Sequence, residues 1–312
     1  MPGLRADVPH VDQPSVPARL LGRKMTTAAR VFRGGGTRAL VEVLGFKAAR
    51  AFGWRRAKRA FQVWCEREHW WAGLLVACTG NVVQVDSCTF LVSHPAIRTA
   101  SKSLLLLGGY ERAERELLGR YLDRSGAVIE LGGSIGVVAC VTNRMLRNPR
   151  RHVVVEANPD LISTLVANRN RNGCEFAVLN RALAYGEPST TFYVDSRDFL
   201  ASSVQVKSDR AIQVPTVTLE EIIDEYGFET CSLVCDVEGA EMEMVRHEPQ
   251  ALQDHVALLI VEIHGWRVGQ DRGAQTIQRL QQIGFHCLHE KDGTYVFRNQ
   301  RLDTGTERTL AR

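Results

Sequence analysis

The chain has 312 residues, of which 45% are hydrophobic and 24% charged, and a formal net charge of +4. That supplies one sizeable core, or one core with a smaller accessory region. The longest nearly uncharged apolar stretch, Trp70 to Cys78, falls far short of the roughly 20 residues a bilayer span needs, so no membrane-spanning helix is expected.

The eight cysteines, at 65, 78, 88, 140, 174, 231, 235 and 287, contain no Cys-x-x-Cys pair and follow no zinc-ligand spacing. Most lie in apolar runs such as Val-Val-Ala-Cys140, where a free thiol packs as a small hydrophobe. With no secretory apolar run at the start, they read as reduced thiols in a cytoplasmic setting.

Residues 1–36, rich in Pro, Gly and Arg and ending at Gly34-Gly35-Gly36, read as a disordered basic leader. Residues 1–60 hold thirteen Lys or Arg against Asp7, Asp12 and Glu42. Such a cluster is either a solvated arm or, through residues 19–60, a peripheral contact with an anionic membrane surface; a nucleic-acid partner is not expected. An organelle transit peptide would share the Arg-rich, acid-poor start, but Pro2, Pro9, Pro14 and Pro17 interrupt any early amphipathic helix.

Residues 37–125 are expected to form an accessory region. Helical spacing of Leu40, Val43, Leu44, Ala51, Trp54, Phe61, Val63 and Trp64 predicts one or two basic helices ending near Ala77. A hairpin follows, with strands 82–85 and 89–92 around Asp86-Ser87, and then a helix over 111–122.

From residue 127 short β-branched runs alternate with helical segments, which predicts an α/β domain over 126–300 with a mostly parallel sheet. Strands are expected at 127–131, 152–157, 175–183, 232–237 and 256–262, with helices at 135–146, 159–170, 239–247 and 271–283. A polar insertion (190–194 and 212–217) interrupts the third crossover. An edge hairpin, 285–289 and 294–297 around Asp292-Gly293, precedes a tail over 301–312.

Four strand ends carry chemistry. The first is Glu130-Leu131-Gly132-Gly133-Ser134-Ile135-Gly136, a buried strand entering a glycine turn and then a helix. Small residues let a ligand approach the backbone, and a helix N-terminus offers N–H donors to an anionic group; the same turn can exist only to pack helix on strand. Its Gly-x-x-x-Gly spacing differs from the Gly-x-Gly-x-x-Gly of a dinucleotide site and favours a sulfonium nucleoside. The second is Glu156-Ala157-Asn158, where a carboxylate twenty residues after Gly136 can accept from both ribose hydroxyls. Asn158 also suits the role of helix cap.

The third strand end, Asp236-Val237-Glu238-Gly239-Ala240-Glu241, places acids where an incoming substrate would sit. Acids here can equally balance a helix dipole, the simpler role for Glu241. The fourth, Glu262-Ile263-His264, sets a histidine beside a carboxylate, a pairing able to deprotonate a hydroxyl.

These motifs, in this order and spacing from about Gly109-Tyr110-Glu111 to His264, resemble the FkbM-type methyltransferases. The sequence departs from that pattern with Glu130, Gly133 and Ser134 in the first motif and with Ala157 set between Glu156 and Asn158. The resemblance implies a class I methyltransferase Rossmann-like fold with a mostly parallel seven-stranded sheet, S-adenosylmethionine as donor, and O-methylation of a small-molecule or carbohydrate hydroxyl. Glu130, Gly132, Gly133, Ser134 and Gly136 would then hold the methionine portion, Glu156, Ala157 and Asn158 the ribose, and Arg181 and Ala182 the adenine edge. Asp236, Glu238, Glu262 and His264 would orient and deprotonate the acceptor, with Asp236 also contacting the donor. In a variant the acids and His264 bind Mg²⁺ or Ca²⁺, although no metal is required. The competing readings are a non-catalytic binding scaffold with a basic docking arm, and an NAD-dependent oxidoreductase.

Overall fold

The computed structural model describes residues 70–194, 210–263 and 270–302. The expected leader, most of the first helices, His264 and the tail lie outside these residues. Among the described residues no helix is long and apolar enough to cross a membrane.

The accessory region opens with α1 (Trp70–Cys78), the hairpin β1 (Val82–Val85) and β2 (Cys88–Leu91), and α2 (Thr99–Leu107). α1 and α2 pack so closely that a Cβ at Gly73 would run into Thr99. α2 stops at Gly108, whose left-handed φ of 71° turns its N–H back onto the carbonyls of Leu104 and Leu105. The hairpin pairs Val82 with Leu91 and Val85 with Cys88. Its outer strand is covered by α5 (Pro159–Arg171) and the residue after it. Asn168 accepts from the Leu91 N–H and Asn172 from the Thr89 N–H, each at 2.7 Å, while Asn172 Nδ2 donates to the Thr89 carbonyl at 2.9 Å. Two amides one helical turn apart thus satisfy an edge that would otherwise pair with another chain. Asn168 Nδ2 also donates to the Ile135 carbonyl at 2.9 Å, tying the hairpin to the glycine turn.

α3 (Arg112–Tyr121) leads into the main sheet. Buried Arg115 fixes the turn before it, donating to the Tyr110 carbonyl at 3.1 Å and the Gly108 carbonyl at 2.9 Å and pairing with Asp86 of the hairpin turn.

Seven strands form that sheet in the order β11-β12-β10-β9-β3-β4-β5. They are β3 (Ala127–Leu131), β4 (His152–Val155), β5 (Ala177–Leu179), β9 (Cys231–Cys235), β10 (Val256–Glu262), β11 (Phe285–Lys291) and β12 (Thr294–Asn299). β5, β4, β3, β9 and β10 run parallel, and β12 is antiparallel to both β10 and β11. The strands follow the expected boundaries closely, because uniformly buried runs such as those of β3, β4 and β9 leave a parallel strand little other reading.

Alternate residues divide the core between the two faces. Ala127, Ile129 and Leu131 point to one face, which is covered by α6 (Leu219–Tyr226), α7 (Glu241–His247), α8 (Pro249–His255) and α9 (Gln270–Gln282). Val128, Val234 and Ile260 point to the other, packed by Leu117 and Leu118 of α3 and Val138 of α4 (Val137–Met145). Each fully buried Leu or Ile contributes about 1.5–3 kcal/mol.

The third expected strand, 175–183, splits. β5 ends at Leu179, and β6 (Ala182–Leu183) joins a three-stranded sheet of order β6-β8-β7 with β7 (Ser189–Val194) and β8 (Arg210–Val217). The break follows from Asn180, whose side chain donates to the carbonyls of Glu156 at 2.8 Å and Ala157 at 3.2 Å instead of continuing the ladder.

Candidate active site

β3 is the point where the chain's path across the sheet reverses, with β4 and β5 added to one side and β9 and β10 to the other. Ligands of open α/β sheets bind outside the carboxyl ends of the strands at such a reversal. A cleft of about 710 Å³, part of it open to solvent, lies there. Gly132 and Ser134 after β3, Glu156 and Ala157 after β4, and Asp236, Val237 and Glu238 after β9 line it. Tyr110 and Glu111 enter from the accessory region, and Arg181, Ala182, Leu183 and Phe192 from the second sheet.

The glycine turn is held from several sides. The N–H groups of Gly132 and Gly133 both donate to the Val155 carbonyl at 2.9 Å, and that of Gly136 to the Gly133 carbonyl at 2.8 Å. A Cβ at Gly132, where φ is 98°, would run into the carbonyl oxygen of Asp236. One at Gly133 would meet the Val154 side chain, and one at Gly136 would come within 2.7 Å of Leu165. The turn's glycines are therefore demanded by packing. Gly133 and Gly136, expected at the ligand, face the protein, and the expected N–H donors of Gly132, Gly133 and Gly136 are taken internally.

Glu156 is held rigidly on the β4 side of the cleft. One carboxylate oxygen accepts from the Ser134 N–H and the other from the Asn158 N–H, each at 2.6 Å. Burial raises its pKa above the ordinary 4.5, and these two N–H groups oppose the rise. Asn158, expected at the ribose, caps α5 by accepting from the Asp160 N–H at 3.1 Å, is buried and does not line the cleft.

Glu130 also differs from expectation. It points to the α4 face, 2% exposed, with Oε2 3.7 Å from Nε2 of His152, and it does not line the cleft. Burial raises its pKa well above 4.5 and lowers that of His152 to about 3, so the histidine is neutral at pH 7.

Asp236 and Glu238 reach the cleft, while Glu241 turns back to accept from the Gly239 N–H at 3.1 Å. The Asp236 N–H is bonded to the Leu131 carbonyl at 2.9 Å, which locks the β9 end to the β3 end. Glu238 sits at a left-handed φ of 54°, a conformation non-glycine residues rarely adopt. Glu262 ends β10 but does not line the cleft.

Sequence reasoning gave no role to Tyr110, Glu111 or Glu114. The Tyr110 hydroxyl lies 3.3 Å from the Ser134 hydroxyl, bridging accessory region and glycine turn. Burial raises the Glu111 pKa to about 8 and that of Glu114 well above 4.5. The signal was Gly109-Tyr110-Glu111, which marks the start of the family resemblance, but nothing local in the sequence shows that this turn returns to the end of β9.

Sheet order, reversal point and cleft define a class I methyltransferase fold of the Rossmann-like kind. A family model described as Methyltransferase FkbM domain matches residues 130–287, and the chain belongs to that family. No curated protein matches. Among solved structures the chain is similar to a protein of the NADB-Rossmann superfamily from Streptococcus agalactiae, at 12% identity and a TM-score of 0.36 over 59% of this chain and 67% of the other. It is also similar to precorrin-6y C5,15-methyltransferase from Geobacter metallireducens (10%, 0.36, 60% and 85%) and to the Methanococcus jannaschii fibrillarin pre-rRNA processing protein (9%, 0.38, 70% and 81%). Likeness of this degree carries no weight beyond the topology itself.

Proposed function

We propose that this methyltransferase uses S-adenosylmethionine to methylate a hydroxyl of a sugar, glycoconjugate or natural product. The observation that carries the reading is the Glu156 carboxylate. It stands at the carboxyl end of β4, beside the glycine turn, aimed by two backbone N–H groups that leave lone pairs on both oxygens. Such a group suits the two hydroxyls of a ribose, and apolar Leu161, Ala182 and Leu183 of the same cleft suit a purine face.

Bound there, the donor would supply an electrophilic methyl group on sulfur. The chain's own part is positioning, which in well-oriented reactions accounts for about 7–11 kcal/mol of the barrier. Gly132 and Ser134 border the methionine portion. Asp236 and Glu238 orient the acceptor hydroxyl and receive its proton. Tyr110 and Phe192, which also line the cleft, bound the acceptor pocket. His264, outside the described residues, remains a proposed base on its sequence position two residues beyond Glu262.

The test is calorimetry of donor binding to the wild-type chain and to Glu156→Ala, paired with mass spectrometry of extract incubated with deuteromethyl-labelled donor. Loss of donor binding in the variant and a labelled hydroxyl in the extract support the reading; undiminished affinity, or label on nitrogen or carboxylate, overturns the corresponding half. Because a ribose needs the ionised carboxylate and burial raises its pKa, donor affinity should fall with acidification at a pH above 4.5.

A further inference from the structure

The accessory region places Glu111 in the cleft and Glu114 behind it, two acids that the methyl-transfer reading does not use. One carboxylate oxygen from each of Glu111, Glu114 and Asp236 lies within 4.8 Å of the others. Glu114 is the informative member. It is 2% exposed, and its Oε1 is buried with no hydrogen-bond partner, at a depth where an unsatisfied charged oxygen is costly. Among the described residues neither Glu111 nor Glu114 is in a salt bridge, and Glu130 and Glu262 help to raise the pKa of both. Arg115 attracts Glu111 but is bonded to Asp86 and to the carbonyls of Tyr110 and Gly108.

We propose that Glu111, Glu114 and Asp236 form a divalent-cation site at the wall of the cleft. Three carboxylates are hard oxygen ligands of the kind chosen by Ca²⁺, Mn²⁺ and Mg²⁺. Oxygens held about 2.3–2.6 Å from a common ion stand no more than about 5 Å apart, so the observed spacing fits an ion between them. Two of the ligands, Glu111 and Asp236, line the cleft while Glu114 does not, so the ion would be anchored from behind and could present open positions to an acceptor oxygen.

The site differs from a set built on Glu238 and His264, because two of its three ligands come from the accessory region. Ion binding is read with neither donor nor acceptor present, so its failure and that of the methyl-transfer reading are separate.

The experiment uses the full chain, stripped with chelator and titrated with Mn²⁺ by paramagnetic resonance and with Ca²⁺ and Mg²⁺ by calorimetry. One saturable site per chain is expected. Glu114→Gln and Glu111→Gln should each weaken binding by at least about tenfold, since losing even a partner that merely supports a ligand has that effect. Glu243→Gln, an acid outside the cleft, should leave it unchanged. Circular dichroism establishes that each variant is folded, and Glu111→Gln stands alone should Glu114→Gln fail to fold. Absence of saturable binding by all three ions at millimolar concentration overturns the proposal, as does unchanged binding in both Gln variants. Weakened donor binding in Glu111→Gln, with no ion bound by the wild type, also overturns it and assigns the acids to the donor's ammonium.

Discussion

The two walls of the cleft are built on opposite principles. On the β4 side a single carboxylate is held in place, with Glu156 receiving two N–H groups at 2.6 Å. On the β9 side several acids crowd together, and Glu114 keeps a buried oxygen without a partner. The first wall is organised before any ligand arrives. The second gathers carboxylates, of which burial holds Glu111 and Glu114 above the ordinary carboxylate range. One fold can thus set a rigidly held carboxylate beside an acidic cluster whose charge can change with its occupant.

The largest effect that sharpens this contrast is expected from Glu156→Ala. Charge-assisted hydrogen bonds contribute about 1.5–3 kcal/mol each, so losing two to a ribose should weaken donor binding by two to four orders of magnitude in calorimetry. The fold should suffer less, because water can reach the freed N–H groups of Ser134 and Asn158 through the cleft.

Next comes Gly132→Ala. Its Cβ would run into the Asp236 carbonyl at a φ of 98°, so the ends of β3 and β9 must separate. A loss of about 4 kcal/mol or more is expected in chemical denaturation without donor. Unchanged stability with weakened donor binding would show that this glycine serves the ligand instead.

Glu130→Gln probes the buried face of the same strand. The folded pKa of Glu130 is raised well above the unfolded 4.5, so as pH rises past 4.5 the unfolded chain releases a proton that the folded chain keeps. Stability therefore falls with rising pH, by up to about 1.4 kcal/mol per unit. Gln has no such penalty, so the variant's melting temperature should exceed the wild type's by more at pH 8 than at pH 5, with donor affinity unchanged. Weakened donor binding would return Glu130 to the site.

The smallest effect is expected at Asn172→Ala, which removes an acceptor and a donor at the hairpin edge and a bond to the Asn168 carbonyl. A loss of about 1–3 kcal/mol is expected, with hydrogen exchange quickened at Thr89 and donor affinity retained.

The strands were legible because β-branched runs buried on both faces admit one reading, and β3 and β10 match their expected bounds. α6 was not anticipated although its signal was present: Thr218 and Glu221 form a reciprocal capping box, and the Glu248 carboxylate accepts from the Leu219 N–H at 3.0 Å and the Glu220 N–H at 2.8 Å. The 175–183 run reads as one strand because nothing in it foretells that Asn180 will bond the β4 end. In the site, the strand-end acids Glu156, Asp236 and Glu238 were readable from spacing, since a carboxylate following a buried strand has few places to go. Glu130 was misplaced because alternation along β3 turns it to the face opposite Ile129 and Leu131. Glu111 and Glu114 could not be placed, since long-range contacts made by Arg115 and the hairpin decide where their turn sits.

Crystallography of the complex with S-adenosylhomocysteine, the product form of the donor, bears most directly on where the nucleoside is gripped. The ribose hydroxyls should lie within about 2.6–3.0 Å of the Glu156 carboxylate oxygens, with the base among Leu161, Ala182 and Leu183. A nucleoside bound away from the ends of β3 and β4, or a ribose with no contact to Glu156, would contradict it.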